Sequence, residues 1–305
     1  MLTVILATHN GAGTLPVMLD SLTRLEAPRG GWKLVAVDNG STDATPEILE
    51  QFADRLPLHI LRHPELGKSR ALNRGLAEIE GELAVFTDDD VVVRPDWLKR
   101  YRWLAKRAPG FFVFGGRIKP RWPAPVRAAI LQGIPLAPAY AVHPDRVASG
   151  PVKPIMIWGG NMAVRREVFD RGHRFNETFG PAGQNGLMGE DTELAVRLRA
   201  RGFGCMFDDQ IVVEHLIQAR QLTLGWLMGR AFRHGRAGFQ KDRDTSSVND
   251  ADFTGHPNHG FARLAARSGQ VALAGLTGNR VGFYRACWEF QQLRGWRYQA
   301  RLEGR

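Results

Sequence analysis

Phe86-Thr87-Asp88-Asp89-Asp90-Val91-Val92-Val93-Arg94-Pro95-Asp96-Trp97-Leu98 places three consecutive carboxylates after an apolar run, Leu83 to Phe86. A second apolar segment follows, and Pro95 then opens a helix. Three acids at a strand end repel one another unless a cation sits among them. Oxygen ligands suit a hard divalent ion, Mg²⁺ or Mn²⁺, which keeps several waters and meets substrate phosphates through one or two carboxylates. An isolated Asp triplet would read as a solvated acidic turn, so its neighbours have to decide.

Upstream of the triplet the chain alternates. Leu2 to Ala7, Trp32 to Val37, Leu58 to Leu61 and Leu83 to Phe86 are apolar runs of strand length. Between them, Thr14 to Leu25, Ser41 to Asp54 and Ser69 to Ile79 carry helical spacing and cap residues. This alternation predicts an α/β fold with a parallel, doubly wound sheet, in which ligands bind at the carboxyl ends of the strands. Downstream the pattern loosens. Lys119 to Pro154 is proline-rich and reads as long loops or a lid. Asp191 to Arg201 is predicted as a helix, with short strands at Phe203 to Phe207 and Ile211 to Val213. Leu222 to Arg233 reads as an apolar helix, Gln240 to Asn258 as a polar mobile stretch, and Phe261 to Arg301 as one or two amphipathic helices.

Composition narrows the class. The 305 residues, 44% hydrophobic and 24% charged, are enough for one large domain or a domain with an appendage. Cys205 and Cys287 make neither a disulfide framework nor a zinc pattern, so a reducing, cytoplasmic setting is expected. No basic n-region precedes Leu2, and no uncharged run reaches membrane-spanning length. The net charge of +10, from 41 basic and 31 acidic residues, suits an anionic partner: nucleic acid, an anionic membrane or a phosphorylated substrate.

Each predicted strand ends in a polar signature. These are Thr8-His9-Asn10-Gly11, Asp38-Asn39-Gly40-Ser41-Thr42-Asp43, Gly67-Lys68-Ser69-Arg70-Ala71-Leu72-Asn73-Arg74-Gly75, and the Asp triplet. A parallel sheet brings all four to one edge. Turn chemistry or helix capping explains any one of them, but not four on the same side. Such a crevice suits a nucleoside diphosphate: Asp38 can accept from a base N–H or a ribose hydroxyl, and Lys68 and Arg70 can meet phosphate charge.

With Gly159-Gly160-Asn161-Met162-Ala163-Val164-Arg165-Arg166 and Gly189-Glu190-Asp191-Thr192-Glu193-Leu194 added in order, the chain resembles the family 2 glycosyltransferases of GT-A fold over roughly residues 1 to 215. That resemblance implies inverting transfer of a sugar from a nucleotide-diphosphate donor, UDP being the first expectation, to a glycan or lipid-linked acceptor. It implies a catalytic domain over 1–218, with a nucleotide half to about 117 and an acceptor half to 218, and a helical extension over 219–305. Asp191 would be the general base. Asp88 and Asp90 would form the Asp-x-Asp motif, with Asp90 the more direct ligand of Mn²⁺ or Mg²⁺ and His215 a further one. Thr8, Asn10, Asp38, Lys68, Arg70, Asp88 and Asp89 would hold the nucleotide. Gly159, Gly160, Asn161 and Glu190 would border donor sugar and acceptor.

Plainer readings stand beside these. Glu190, Asp191 and Glu193 open a helix, where the dipole favours acids. Gly159 to Asn161 could be a turn, and a histidine at a strand end is commonly structural. Gln291-Gln292-Leu293-Arg294-Gly295-Trp296 approaches the Gln-x-x-Arg-Trp motif of processive members, but Gly295 breaks its spacing and it lies too far along the chain, so a non-processive enzyme is expected. The basic, apolar stretch Arg220 to Arg236 suggests peripheral contact with an anionic membrane, or a helix packed on the core. Two competing functions are a sugar-phosphate nucleotidyltransferase, which wants a cationic Gly-rich loop after the first strand, and a nucleic-acid-binding protein, which has no use for three acids in a crevice.

Overall fold

A computed structural model of the chain describes residues 1–180, 187–245 and 261–304. These fall into two compact units: Met1–Arg121 with Val142–Leu216, and Trp122–Ala141 with Ile217–Arg305.

The first unit begins β1 (Leu2–Thr8), α1 (Leu15–Thr23), β2 (Trp32–Asp38), α2 (Thr45–Gln51), β3 (Leu58–Arg62), α3 (Lys68–Leu76) and β4 (Leu83–Thr87). Then come β5 (Val91–Val93), α4 (Trp97–Arg107) and β6 (Phe111–Arg121). The chain crosses to the second unit for α5 (Ala128–Gly133) and α6 (Leu136–Tyr140). It returns for β7 (Gly150–Pro151), β8 (Met162–Arg165), α7 (Arg166–Asp170), α8 (Glu190–Ala200) and β9 (Gly204–Leu216).

The sheet runs β3-β2-β1-β4-β8-β6-β9-β5, with β7 also on β9. The first four strands are parallel, as the alternation predicts. The rest is mixed: β8 runs antiparallel to β4 and β6, and β5 antiparallel to β9. Helices cover both faces, which is why β4 is buried at every position and reads as a continuous apolar run. Along β1, Val4 and Leu6 join a core with α1 and α4, while Ile5 joins the opposite layer with α3 and α8. Gly75 lets α3 lie close on the sheet, since a Cβ there would press on Ile5 and Val37.

The two short strands expected at 203–207 and 211–213 are one strand, β9, with a register shift opposite Gly116 and Arg117. Asp208 Oδ1 accepts from the Gln210 N–H at 2.8 Å inside that irregularity. The loop reading of 119–154 holds for 122–127 and 141–149 but not for the end of β6 or for α5 and α6. Prolines hid α6: Pro135 caps it and Pro138 lies in its first turn, where a missing N–H leaves no bond unmade.

The second unit is built on α9 (Leu224–Thr245), α10 (Phe261–Leu276) and α11 (Arg280–Leu302). Residues 122–141, assigned by sequence to the acceptor half, belong to this unit. Arg230 donates to the Pro138 carbonyl at 3.0 Å, and the Tyr140 hydroxyl to that of Gln221 at 3.0 Å. The 240–258 stretch is helical as far as Thr245; 246–258 lies outside the described residues. The Arg220–Arg236 segment takes the packed-helix reading: Leu227 and Ala231 are buried, and Arg236 donates to Gln299 of α11. Gly295 is a packing glycine, because a Cβ there would overlap the Phe232 carbonyl. Among the described residues no helix is long and apolar enough to cross a membrane.

Candidate active site

The site lies in the first unit, where β1, β2 and β4 end on one edge. Thr8 pairs with Asp38 in register and Leu6 with Thr87, so the polar signatures follow at the same level. The loops after β1 and β2 are zipped together. Asn10, in a left-handed conformation, takes the Ser41 hydroxyl on its N–H and accepts from the Thr42 N–H. The Gly11 N–H goes to Thr45 and the Ala12 N–H to Asp43. Asn39 pins the next loop, donating to the His63 and Glu65 carbonyls and accepting from the Gly67 N–H. Asp38 sits between these loops, 6% exposed, accepting from the Ser41 N–H at 3.1 Å.

Gly67 then starts α3 and aims Lys68 at the triplet. The Lys68 ammonium lies 2.6 Å from Asp88 Oδ1 and 3.1 Å from Glu190 Oε1. Burial opposes its charge, but Asp88, Glu190 and Asp191 outweigh that and hold it well above the usual lysine range. Arg70 turns elsewhere, pairing with Glu65 and Glu177 at 3.5 Å each. Expected from sequence to meet phosphate charge beside Lys68, it is instead paired with these two surface acids.

The three aspartates have distinct partners. Asp89 Oδ2 accepts from the Thr8 hydroxyl at 2.5 Å, and Gly11 leaves room for that bond. Burial and then the Asp90 charge push the Asp89 carboxyl up to about 7. Asp90 Oδ2 lies 3.0 Å from His215 Nε2. Burial works against the Asp90 charge, yet the His215 interaction prevails and keeps its carboxyl below the usual range. The sheet makes this contact: Val91 of β5 is registered opposite His215 of β9, and the Leu216 N–H donates to the Asp90 carbonyl at 2.7 Å.

Because β8 runs antiparallel to β4, its start delivers Gly159 and Gly160 to the same edge. A Cβ at Gly160 would lie 3.2 Å from Asp88 Oδ2, and one at Gly159 would lie 3.3 Å from Asp191 Cβ. The pair of glycines thus separates the triplet from the opening of α8. Asp191 there accepts from the Gly159 N–H at 2.5 Å and from the Thr192 N–H at 2.6 Å. Burial, then the neighbouring Glu190 charge, raises its carboxyl above the ordinary value. Burial also opposes the Glu190 charge, but Lys68 holds its carboxyl low. Lys68, Asp88, Gly159, Glu190 and Asp191 line one small pocket over apolar Leu72, Phe86 and Met162.

Asn161 does not line the crevice. It is fully buried and makes four side-chain bonds: it accepts from the Trp97 indole and the Tyr101 hydroxyl and donates to the Arg117 and Ile211 carbonyls. It anchors the glycine turn from below. Sequence reasoning missed His143, which stacks on Trp158 with ring centroids 3.9 Å apart. His143 Nδ1 accepts from the Ile118 N–H and its Nε2 meets the Met156 carbonyl. A histidine in a proline-rich loop gave no signal of this.

A divalent ion fits these residues in one way. Among the described residues no three acid, histidine or cysteine side chains form a ready-made cage. The Asp90–His215 pair, with Asp88 near Lys68, offers oxygen and imidazole donors of the right kind for Mn²⁺. A site with so few protein ligands suits an ion that takes its other ligands from phosphate and water.

The family model described as "Glycosyl transferase family 2" matches residues 3–172, more than half of the chain. The chain belongs to glycosyl transferase family 2. It is 27% identical over 228 residues to validoxylamine A glucosyltransferase of Streptomyces hygroscopicus subsp. jinggangensis, covering 66% of this chain and 52% of that protein. It is 31% identical over 100 residues to glycosyltransferase AglE of Haloferax volcanii, covering 32% of this chain and 33% of that one. It thus spans about half or less of these relatives' length. A mannosyltransferase of Pyrobaculum calidifontis, solved with GDP-Man and Mn²⁺, superposes with a TM-score of 0.69 at 22% identity, covering 100% of this chain and 88% of that one. TarS 1–349 of S. aureus with UDP-GlcNAc gives 0.55 at 14% identity, covering 99% and 91%. These superpositions establish the GT-A fold of this family 2 member.

Proposed function

We propose that the crevice moves a sugar from a nucleoside-diphosphate donor to an acceptor hydroxyl, with inversion at the anomeric carbon. The observation that carries this reading is the position of Asp191. It lies across Gly159-Gly160 from the triplet, in the pocket that also holds Lys68 and Asp88, with its carboxyl raised towards a basic role. Asp38 accepts from the base, and Lys68 meets the diphosphate. Asp191 takes the proton from the acceptor hydroxyl, whose oxygen bonds to the anomeric carbon. The bond from that carbon to the diphosphate breaks on the opposite face, and its electron pair leaves with the phosphate. Proton abstraction by a base so placed contributes about 10²–10⁴-fold. Glu190 holds Lys68 in place. Asp90 with His215, and Asp88, would hold Mn²⁺ or Mg²⁺, which supplies positive charge to the leaving diphosphate.

The donor proposed first is a UDP-sugar, with a GDP-sugar as the competing choice; UDP-GlcNAc and GDP-Man in the neighbouring structures make these the two to test. The acceptor proposed is a glycan or lipid-linked sugar in polysaccharide or glycoconjugate assembly. The nucleotidyltransferase reading loses support because the N–H groups of Asn10, Gly11 and Ala12 are already taken by Ser41, Thr45 and Asp43.

Thermal unfolding with UDP, GDP and dTDP and their sugar conjugates, with and without Mn²⁺, tests the reading. At about 100 times Kd a ligand adds roughly 2.7 kcal/mol of stability. A metal-dependent shift with one nucleotide is the expected result. No shift with any of them would remove the nucleotide-sugar reading.

A further inference from the structure

The net charge of +10 is not spread over the chain. The second unit, 122–141 with 217–305, holds 15 of the 41 basic residues and 6 of the 31 acidic ones. Among its described side chains the only carboxylates are Glu289 and Glu303, and Arg267 holds Glu289 at 2.5 Å. Helix α10 in this unit is unusual. A solvent-facing helix normally turns charge outward. Between Ala265 and Leu276 the exposed residues are alanine, serine, glycine, glutamine and leucine, with no charged residue among them. Leu273 is 62% exposed and Leu276 87%. Exposed Arg280 and Arg285 follow at the start of α11.

We propose that α10 lies on an anionic lipid surface. Leu273 and Leu276 enter the acyl boundary, and Arg280 and Arg285 sit over the headgroups. An uncharged outward helical face with cations beside it is the pattern of an interfacial helix. Charge selects the occupant. A second copy would bring the same excess of arginine and repel, whereas a polyanion such as nucleic acid has no use for exposed leucines. The site suggested by sequence, Arg220 to Arg236, gives way to α10 because Arg230 and Arg236 are drawn into helix packing. The proposal does not depend on the chemistry assigned to the crevice.

Flotation of the full chain with phosphatidylcholine vesicles, with and without phosphatidylglycerol, tests it. Binding is expected only with phosphatidylglycerol and is expected to weaken as salt rises. The double variant Leu273→Glu, Leu276→Glu should lose at least about tenfold in vesicle partition while keeping its thermal midpoint. Leu276→Trp should shift its fluorescence to the blue on phosphatidylglycerol vesicles. No binding to those vesicles, or equal binding by the double variant, would overturn the proposal. So would a parent dimer in sedimentation that the double variant abolishes, since the face would then pair copies. A lowered midpoint of the double variant would also overturn it, because another part of the chain would cover α10.

Discussion

The two units treat charge in opposite ways. The sheet unit carries 26 basic and 25 acidic residues, and in its site one cation, Lys68, sits between Asp88 and Glu190 among a larger number of acids. The helical unit carries the excess. Net charge taken over the whole chain therefore says little about the crevice. The sheet unit has its acids close together and partly buried, as charge-handling chemistry requires. The helical unit has more cations than carboxylates, which is an argument about a surface.

The sharpest way to break this contrast is Asp191→Asn. Transfer is expected to fall about 10²–10⁴-fold, with the nucleotide-dependent rise in unfolding temperature and vesicle flotation both retained. Full turnover by this variant, measured by product formation, would remove Asp191 as the base and with it the reason for placing chemistry in the sheet unit.

Asn161→Leu should act on stability. It would orphan the Trp97 indole, the Tyr101 hydroxyl and the Arg117 and Ile211 carbonyls, all facing a fully buried position. At about 1–3 kcal/mol for each buried group left unpaired, a loss of at least about 3 kcal/mol is expected in urea unfolding. A near-neutral result would mean that the glycine turn is held by something else.

The pH dependence of the same unit turns on His143. Its Nδ1 accepts from the Ile118 N–H, so the ring is neutral and carries its proton on Nε2 towards Met156. Burial depresses it to about 4. In the unfolded chain it binds a proton below about 6.5. A depressed value gives stability that is present above 6.5 and lost as pH falls towards 4, roughly 3 kcal/mol in all. Urea midpoints at neutral pH and near pH 4 should show a smaller acid loss in His143→Phe than in the parent. Equal acid losses would assign the effect to carboxylates.

What sequence could and could not show follows from the range of the interactions. The four parallel strands and their polar ends were legible because each signal is local: an apolar run of strand length followed at once by polar and turn residues. The triplet was legible as a cluster, but its division of labour was not. Asp90 meets His215 through the β5–β9 register, which joins residues 125 apart. Asn161 looked like part of a sugar-binding loop because its sequence neighbours Gly159 and Gly160 reach the crevice, while its own side chain points the other way into Trp97 and Tyr101. Arg70 looked like a phosphate ligand one helical step from Lys68, yet Glu65 and Glu177 hold it.

Gly295 is the smallest test and bears on the helical unit. From sequence it spoils a Gln-x-x-Arg-Trp motif; in the fold it is where α11 crosses α9. A Cβ there would overlap the Phe232 carbonyl, and one at Gly235 would overlap that of Gln292, so the two backbones touch reciprocally. Backbone carbonyls cannot rotate away as a flexible side chain can, so Gly295→Ala must spread the helices. A loss of about 1–3 kcal/mol is expected from overpacking of this kind. Hydrogen exchange locates it: α9 and α11 should exchange faster while β1 to β4 keep their protection and the nucleotide response is unchanged. Faster exchange in β1 to β4 as well would show that the two units unfold together, and the contrast between them would then hold for charge but not for stability.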